Sequence, residues 1–271
     1  MGFLGIGKSA QTMKNTINFV RKGGRGKVLA KKLLSRFFDE RGSLDRQANL
    51  RWLVKNATDF EAFAKEQNPQ LWEETKSFAR QLEKRAKGIL SDIDVELGGG
   101  GYYEMLYFLT RQFQPKVIVE TGVAAGFSSQ TFLSALQKNG EGKLFSSDFP
   151  YFRLAEPEKY IGLLVEEKFR ADWTLYTEGD EANLEEILPQ VQAIDLFHYD
   201  SDKRYRGRQS AFTKVKPKLS QRAIVVFDDI QDNPFFHDLI QAENISPERW
   251  RVIAHKGKFI GWISYDSQTA N

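Results

Sequence analysis

The chain contains no cysteine in 271 residues. Disulfides, thiolate metal sites and cysteine nucleophiles are therefore excluded, and a reducing compartment is a natural setting. It also lacks any apolar run near the ~20 residues that cross a bilayer. The opening MGFLGIGKSAQT is too short in apolar residues for a secretory signal, and Ile6 stands where a myristoylation signal requires Ser or Thr, so a cytoplasmic location is expected. Histidine is scarce. His198, His237 and His255 have no metal-ligand spacing, and no G-x-S-x-G elbow suggests a serine hydrolase. Acid is missing from the N-terminal arm, which has nine Lys/Arg up to Arg36 and no Asp or Glu.

What is present suits a globular protein, with 41% hydrophobic and 28% charged residues. We expect a basic arm and helical cap or oligomerisation region over 1–97, and a ligand-binding domain over 98–271. Leu29, Ala30, Leu33, Leu34 and Phe37 form one helical stripe within Lys27–Phe38, with Lys27, Lys31, Lys32 and Arg36 away from it. Docking on its own domain or on a sister subunit is favoured for this stripe over contact with an anionic surface. Without interleaved stacking aromatics, nucleic acid is disfavoured as a partner, and peripheral membrane contact remains an alternative. Ser43 is expected to cap one helix, Thr58–Glu61 reads as a capping box, and Asn68-Pro69 opens a long helix through Leu90. No chemistry is visible in this region. The glycine run Gly98–Gly101 is a candidate hinge.

Beyond it, five strand patterns (117–121, 143–147, 173–177, 194–199, 223–227) alternate with helical ones (127–138, 157–169, 181–188, 206–216). A helix at 235–242 and a closing antiparallel pair, 251–255 and 259–264, complete the pattern. The expected fold is α/β: a doubly wound, mostly parallel, seven-stranded Rossmann-like sheet with an N-terminal helical extension. Its centre is KVIVETGVAAGFSSQT, where Gly122 and Gly126 turn the chain from a buried strand into a helix. The spacing matches neither the dinucleotide fingerprint G-x-G-x-x-G nor the phosphate loop G-x-x-x-x-G-K-[ST].

Each of these strands ends in acid: Glu120, then Asp148, then Gly179-Asp180, then Asp200 and Asp202, then Asp228-Asp229. In an open α/β sheet ligands bind beyond the carboxyl ends of the strands. Asp148 can accept both hydroxyls of a ribose, and Asp180 can accept from an exocyclic amine. A ligand with a ribose, an amino group and positive charge is implied, and S-adenosylmethionine fits where a nucleoside triphosphate does not.

The blocks ETGVAAGFSS, SSDFP, TEGDEAN, LFHYDSDKRYRG and IVVFDDI resemble the class I S-adenosylmethionine-dependent methyltransferases. More narrowly they are similar to the metal-dependent O-methyltransferases of catechols and antibiotic sugars. The resemblance spans roughly residues 98–265 and leaves the N-terminal hundred uncovered. It implies that Glu120, Gly122, Gly126, Ser128, Asp148, Gly179 and Asp180 bind the cofactor. It also implies that Asp200, Asp228 and Asp229 hold Mg²⁺ or another divalent cation, and that Lys203 is the general base near a hydroxyl of a small acceptor, a sugar or a phenol. The sugar-type pattern has His where Lys203 stands, and a lysine serves there only if its pKa is depressed. Tyr102, Tyr103, Phe149, Tyr151, Phe235 and Phe236 are candidate pocket walls. The bland alternatives are that Asp228-Asp229 caps the next helix, that Lys203 is solvated and that His198 is core. Two other functions compete: a non-catalytic scaffold on the same fold attached by the basic arm, and an enzyme using a nicotinamide cofactor.

Overall fold

The computed structural model describes residues 3–21, 26, 42–91, 93, 95, 97 and 101–265. The basic stretch 27–38 and glycines 98–100 lie outside the described residues. The strands are β1 (Ala57–Thr58), β2 (Val117–Thr121), β3 (Lys143–Ser147), β4 (Trp173–Tyr176), β5 (Ile194–Tyr199), β6 (Leu219–Phe227), β7 (Trp250–His255) and β8 (Lys258–Ser264). The helices are α1 (Phe3–Arg21), α2 (Arg46–Asn56), α3 (Phe60–Gln67), α4 (Pro69–Leu90), α5 (Tyr103–Phe113), α6 (Phe127–Asn139), α7 (Asp180–Ile187), α8 (Tyr205–Val215) and α9 (Phe235–Ala242).

The sheet runs β1-β7-β8-β6-β5-β2-β3-β4. Its neighbours pair in parallel except at β8, which is antiparallel to both β6 and β7. All seven expected strands are present. The eighth is β1, two residues with no apolar run, held by pairing with Val252 and Ile253. Strand order reverses between β2 and β5, which is where an α/β sheet opens a crevice.

Side-chain alternation explains why both faces are covered. Ile118, Leu196, Ile224 and Val226 join one core with Met105, Phe108, Phe132 and Leu133, while Val119, Phe197, Val225 and Phe227 join the other with Leu184, Phe212 and Phe235. Phe60, Ala64, Leu71 and Trp72 of α3 and α4 belong to the first of these cores, so these helices pack into the same interior as the sheet.

Local signals at the helix starts resolve differently from expectation in two places. Asp45, not Ser43, caps α2 by accepting the Ala48 amide at 2.7 Å; Ser43 instead donates its own amide to Asp238 at 3.0 Å. Asp59 caps α3 through the Glu61 and Ala62 amides, because Thr58 is taken into β1 and donates to the Val252 carbonyl at 3.1 Å. Asn68 caps α4 through the Leu71 amide, with Pro69 at the first helical position, as the sequence indicates.

The helix expected over 157–169 is replaced by two short 3₁₀ turns, Pro157–Tyr160 and Glu167–Asp172. The cause lies in the glycine loop: Gly162 and Leu164 donate their amides to the carbonyls of Ala124 and Ala125, at 2.9 and 2.8 Å. Those amides cannot also serve a helix. Gly162 has φ +67, and a Cβ there would meet the Trp173 ring at 2.2 Å.

Candidate active site

The loop from Gly122 to Gly126 is built by close approach. Gly122 has φ +89, and a Cβ on it would lie 2.2 Å from the Asp200 carbonyl oxygen, so the β2 and β5 loops touch at this residue. Gly126 starts α6 at φ +95 against Gly162.

Asp148 closes the loop from the β3 side. Its Oδ2 accepts the Val123 and Ala124 amides at 3.1 and 2.7 Å, and its Oδ1 accepts the Phe149 amide at 2.6 Å. Burial raises its pKa, and these amides partly offset the rise. Gly179, at φ +92, precedes Asp180, whose carboxylate accepts from Ser147 Oγ at 2.8 Å and from Ser201 Oγ. Asn183 was not singled out by sequence. It is buried, and its amide bonds Ser147 Oγ, the Asp148 carbonyl and the Tyr176 carbonyl at 2.8–3.0 Å, fixing β3, β4 and α7 together.

Glu120, expected to face a ligand, has no exposed surface. Its Oε2 accepts from Ser129 and Ser146 at 2.6 and 2.8 Å, and Oε1, without a hydrogen-bond partner, lies 3.9 Å from His198 Nδ1. Burial pushes its pKa to about 7, against the lowering effect of the Ser128, Ser129 and Ser146 hydroxyls. From inside, the acid ties the first turn of α6 to β3. Ser128 is buried at the first turn of α6.

At the ends of β5 and β6, Asp200, Asp228 and Asp229 converge, each offering a carboxylate oxygen within 4.8 Å of the others. Asp229 adopts φ +53, a left-handed conformation that non-glycine residues seldom take, and the buried Arg208 donates to its carbonyl at 2.9 Å. Burial and the nearby Asp200 raise Asp228 to about 6. For Asp229 burial acts upward too, but Lys203 and Lys258 outweigh it and hold the group at about 2. Lys203 Nζ bonds Asp200 Oδ1 and lies 2.9 Å from Asp229 Oδ2; Lys258 Nζ lies 2.9 Å from Asp229 Oδ1. Burial would lower the Lys203 pKa, yet the three acids raise it overall, so in this arrangement Lys203 is a cation.

Three convergent carboxylates, two of them buried, with one Asp228 oxygen lacking a hydrogen-bond partner, are a donor set suited to a hard divalent cation. The expected metal ligands are thus brought together, and the expected base sits among them.

A cavity of about 470 Å³ opens on Asp200 and Asp228. Its far wall is α4, through Glu83, Ala86, Lys87 and Leu90, and its floor includes Tyr103, Phe127 and His255. Tyr103 donates its hydroxyl to Glu83 and stacks on Phe127 with centroids 6.0 Å apart. His255, to which the sequence assigns no role, lines the cavity and stacks on Tyr102 at 3.7 Å. Of the other candidate walls, Phe149 packs on Phe19, Tyr151 donates to the Leu97 carbonyl, and Phe235 and Phe236 are buried in the core. His237 pairs with Asp238. Lys258, Glu83 and Lys87 had no sequence signal, because each is an ordinary charged residue whose role comes from the element carrying it.

Residues 119–230 match the model of a family described as a methyltransferase domain. No curated protein matches the chain in sequence. Among solved structures, an O-methyltransferase from Bacillus cereus in complex with SAH is 13% identical, with 68% of this chain and 90% of that chain aligned and a TM-score of 0.51. A structure from Staphylococcus aureus, described as a caffeoyl-CoA O-methyltransferase, is 12% identical over 70% of this chain and 99% of that one, with a TM-score of 0.52. At this identity the structures establish the shared fold. Over residues 119–230 the chain is thus similar to methyltransferase domains, and it shares the fold of these O-methyltransferases.

Proposed function

We propose that the chain is a class I methyltransferase that transfers the methyl group of S-adenosylmethionine to an oxygen of a small hydroxylated acceptor, a sugar or a phenol, with the help of a divalent cation. The observation that carries this reading is the convergence of Asp200, Asp228 and Asp229 within 4.8 Å, at the edge of a cavity beside the Gly122–Gly126 loop. The SAH bound in the Bacillus cereus structure supports the cofactor part of this reading.

In this reading the Gly122–Ser128 loop receives the methionine part, Asp148 the ribose hydroxyls, and Gly179 with Asp180 the adenine side. Asp148 holds the loop amides with the same carboxylate that would meet the ribose, so loop shape and ribose recognition are coupled through one residue. Asp200, Asp228 and Asp229 would hold Mg²⁺ or a similar cation. Bound there, such an ion binds acceptor oxygens and lowers the pKa of a hydroxyl. Tyr103, Phe127 and α4 would enclose the acceptor and exclude water, holding the hydroxyl where in-line displacement at a sulfonium methyl can occur. Lys203 keeps its proton while Asp200 and Asp229 are its partners. Were those acids engaged by a cation, its affinity for a proton would fall; Lys203 would then release its proton to solvent, and the neutral amine could accept the one leaving the acceptor hydroxyl.

The test is transfer of a labelled methyl group from S-adenosylmethionine across a panel of phenols, vicinal diols and glycosides, with Mg²⁺ and with chelator. The reading expects turnover on at least one class that is lost with chelator and in Asp228→Asn. Turnover that is indifferent to chelator would remove the cation from the account.

A further inference from the structure

We propose that α1 is a membrane-surface anchor that lies on an anionic lipid bilayer through Met13, Ile17 and Val20 and holds the methyltransferase domain against it.

Four large hydrophobic side chains are exposed among the described residues, and three of them are on α1: Met13 at 62%, Ile17 at 45% and Val20 at 38%. Spacings of four and three, at about 100° per residue, place them on one side of the helix. The other side is fixed to the domain. Phe19 is buried between Phe149 and Phe152, with centroids 5.4 and 6.1 Å away, and Asn15 Nδ2 donates to the Arg153 carbonyl at 3.1 Å. The helix is thus seated by one face while its apolar stripe is turned outward. Single exposed hydrophobics need no explanation, but a stripe on a seated helix does.

Charge selects the occupant. No acid precedes Asp39, whereas Lys14 and Arg21 are exposed on α1 and nine Lys/Arg occur up to Arg36. A second copy would bring the same exposed Lys14 and Arg21 to the stripe, and the two copies would repel. A phosphate backbone would satisfy the charge but leave the apolar stripe in water. An anionic bilayer surface satisfies both, with the stripe at the headgroup boundary and the cations among the headgroups. The helix lies on the surface in this account, since no helix among the described residues is long and apolar enough to cross a membrane. The loop carrying Phe149 and Phe152 follows Asp148 directly, so the anchor seats beside the proposed cofactor site.

The test is co-sedimentation of the full chain with phosphatidylcholine vesicles, with and without about 30% phosphatidylglycerol. Binding to the anionic vesicles is expected at least tenfold tighter than to neutral ones, and weaker in raised salt. The triple variant Met13→Ser, Ile17→Ser, Val20→Ser should lose at least tenfold of that binding with an unchanged melting temperature. Absence of binding to anionic vesicles, or full binding by the triple variant, would overturn the proposal. So would a dimer in sedimentation equilibrium that the triple variant converts to monomer, which would assign the stripe to a second copy. None of these outcomes depends on methyl transfer.

Discussion

The Lys203 ammonium lies 2.9 Å from Asp229 Oδ2, so the acid cluster at the ends of β5 and β6 is neutralised in part by the chain's own cation. Lys203 and a divalent ion would compete for the same carboxylates. We expect Lys203→Met to bind Mn²⁺ about tenfold more tightly by calorimetry, since a competitor is removed. Its methyl transfer should nevertheless fall by about 100-fold or more, the contribution of a positioned base. A variant retaining full turnover would leave Lys203 a counter-ion only.

Asp228 carries a cost in the metal-free protein. Its folded pKa of about 6 is above the ordinary value of 3.8, so ionisation is disfavoured in the folded state. That penalty grows as pH rises from about 4 to 6 and is full above 6. Asp228→Asn should therefore stabilise the metal-free protein at pH 7.5 by about 1–3 kcal/mol, with the difference fading towards pH 4. Thermal melts of both proteins across this range check it. Cation binding should weaken below pH 6, as protons compete for the same oxygen.

Gly122→Ala places a methyl group 2.2 Å from the Asp200 carbonyl, at a backbone φ of +89. Either the glycine loop or the Asp200 turn must move. The expected loss is about 2–3 kcal/mol of stability, read by denaturant unfolding, together with loss of cofactor binding. A neutral outcome would mean that the contact between the β2 and β5 loops is not needed.

Asp148→Asn replaces an acceptor that binds three backbone amides. S-adenosylhomocysteine should bind at least ~10-fold more weakly, in line with the ~1.5–3 kcal/mol of hydrogen bonds to a charged group.

Much of this site could be read before the fold was seen, for a physical reason. Short apolar runs, whose side chains alternate between the two faces of the sheet, mark β2, β5 and β6, and an acid at a strand's carboxyl end lies where a parallel sheet binds ligands, so Asp200, Asp228 and Asp229 stood out. The same alternation decides which end acids face the cleft, and Glu120 turns inward to Ser129 and Ser146. Lys258 and the α4 residues Glu83 and Lys87 were not legible. They reach the cavity from a later strand and from a helix more than a hundred residues before Asp200, through packing that leaves no local pattern. The lost helix at 157–169 has the same origin, since the glycine loop captures the amides of Gly162 and Leu164.

The most direct measurement is calorimetric titration of the purified protein with S-adenosylhomocysteine, first with Mg²⁺ and then with chelator. The account predicts binding with a dissociation constant on the order of micromolar, in the range usual for enzyme ligands, and a loss of at least ~10-fold in Asp148→Asn. No binding in either condition would contradict the assignment of the Gly122–Gly126 loop, Asp148 and Asp180 to the cofactor.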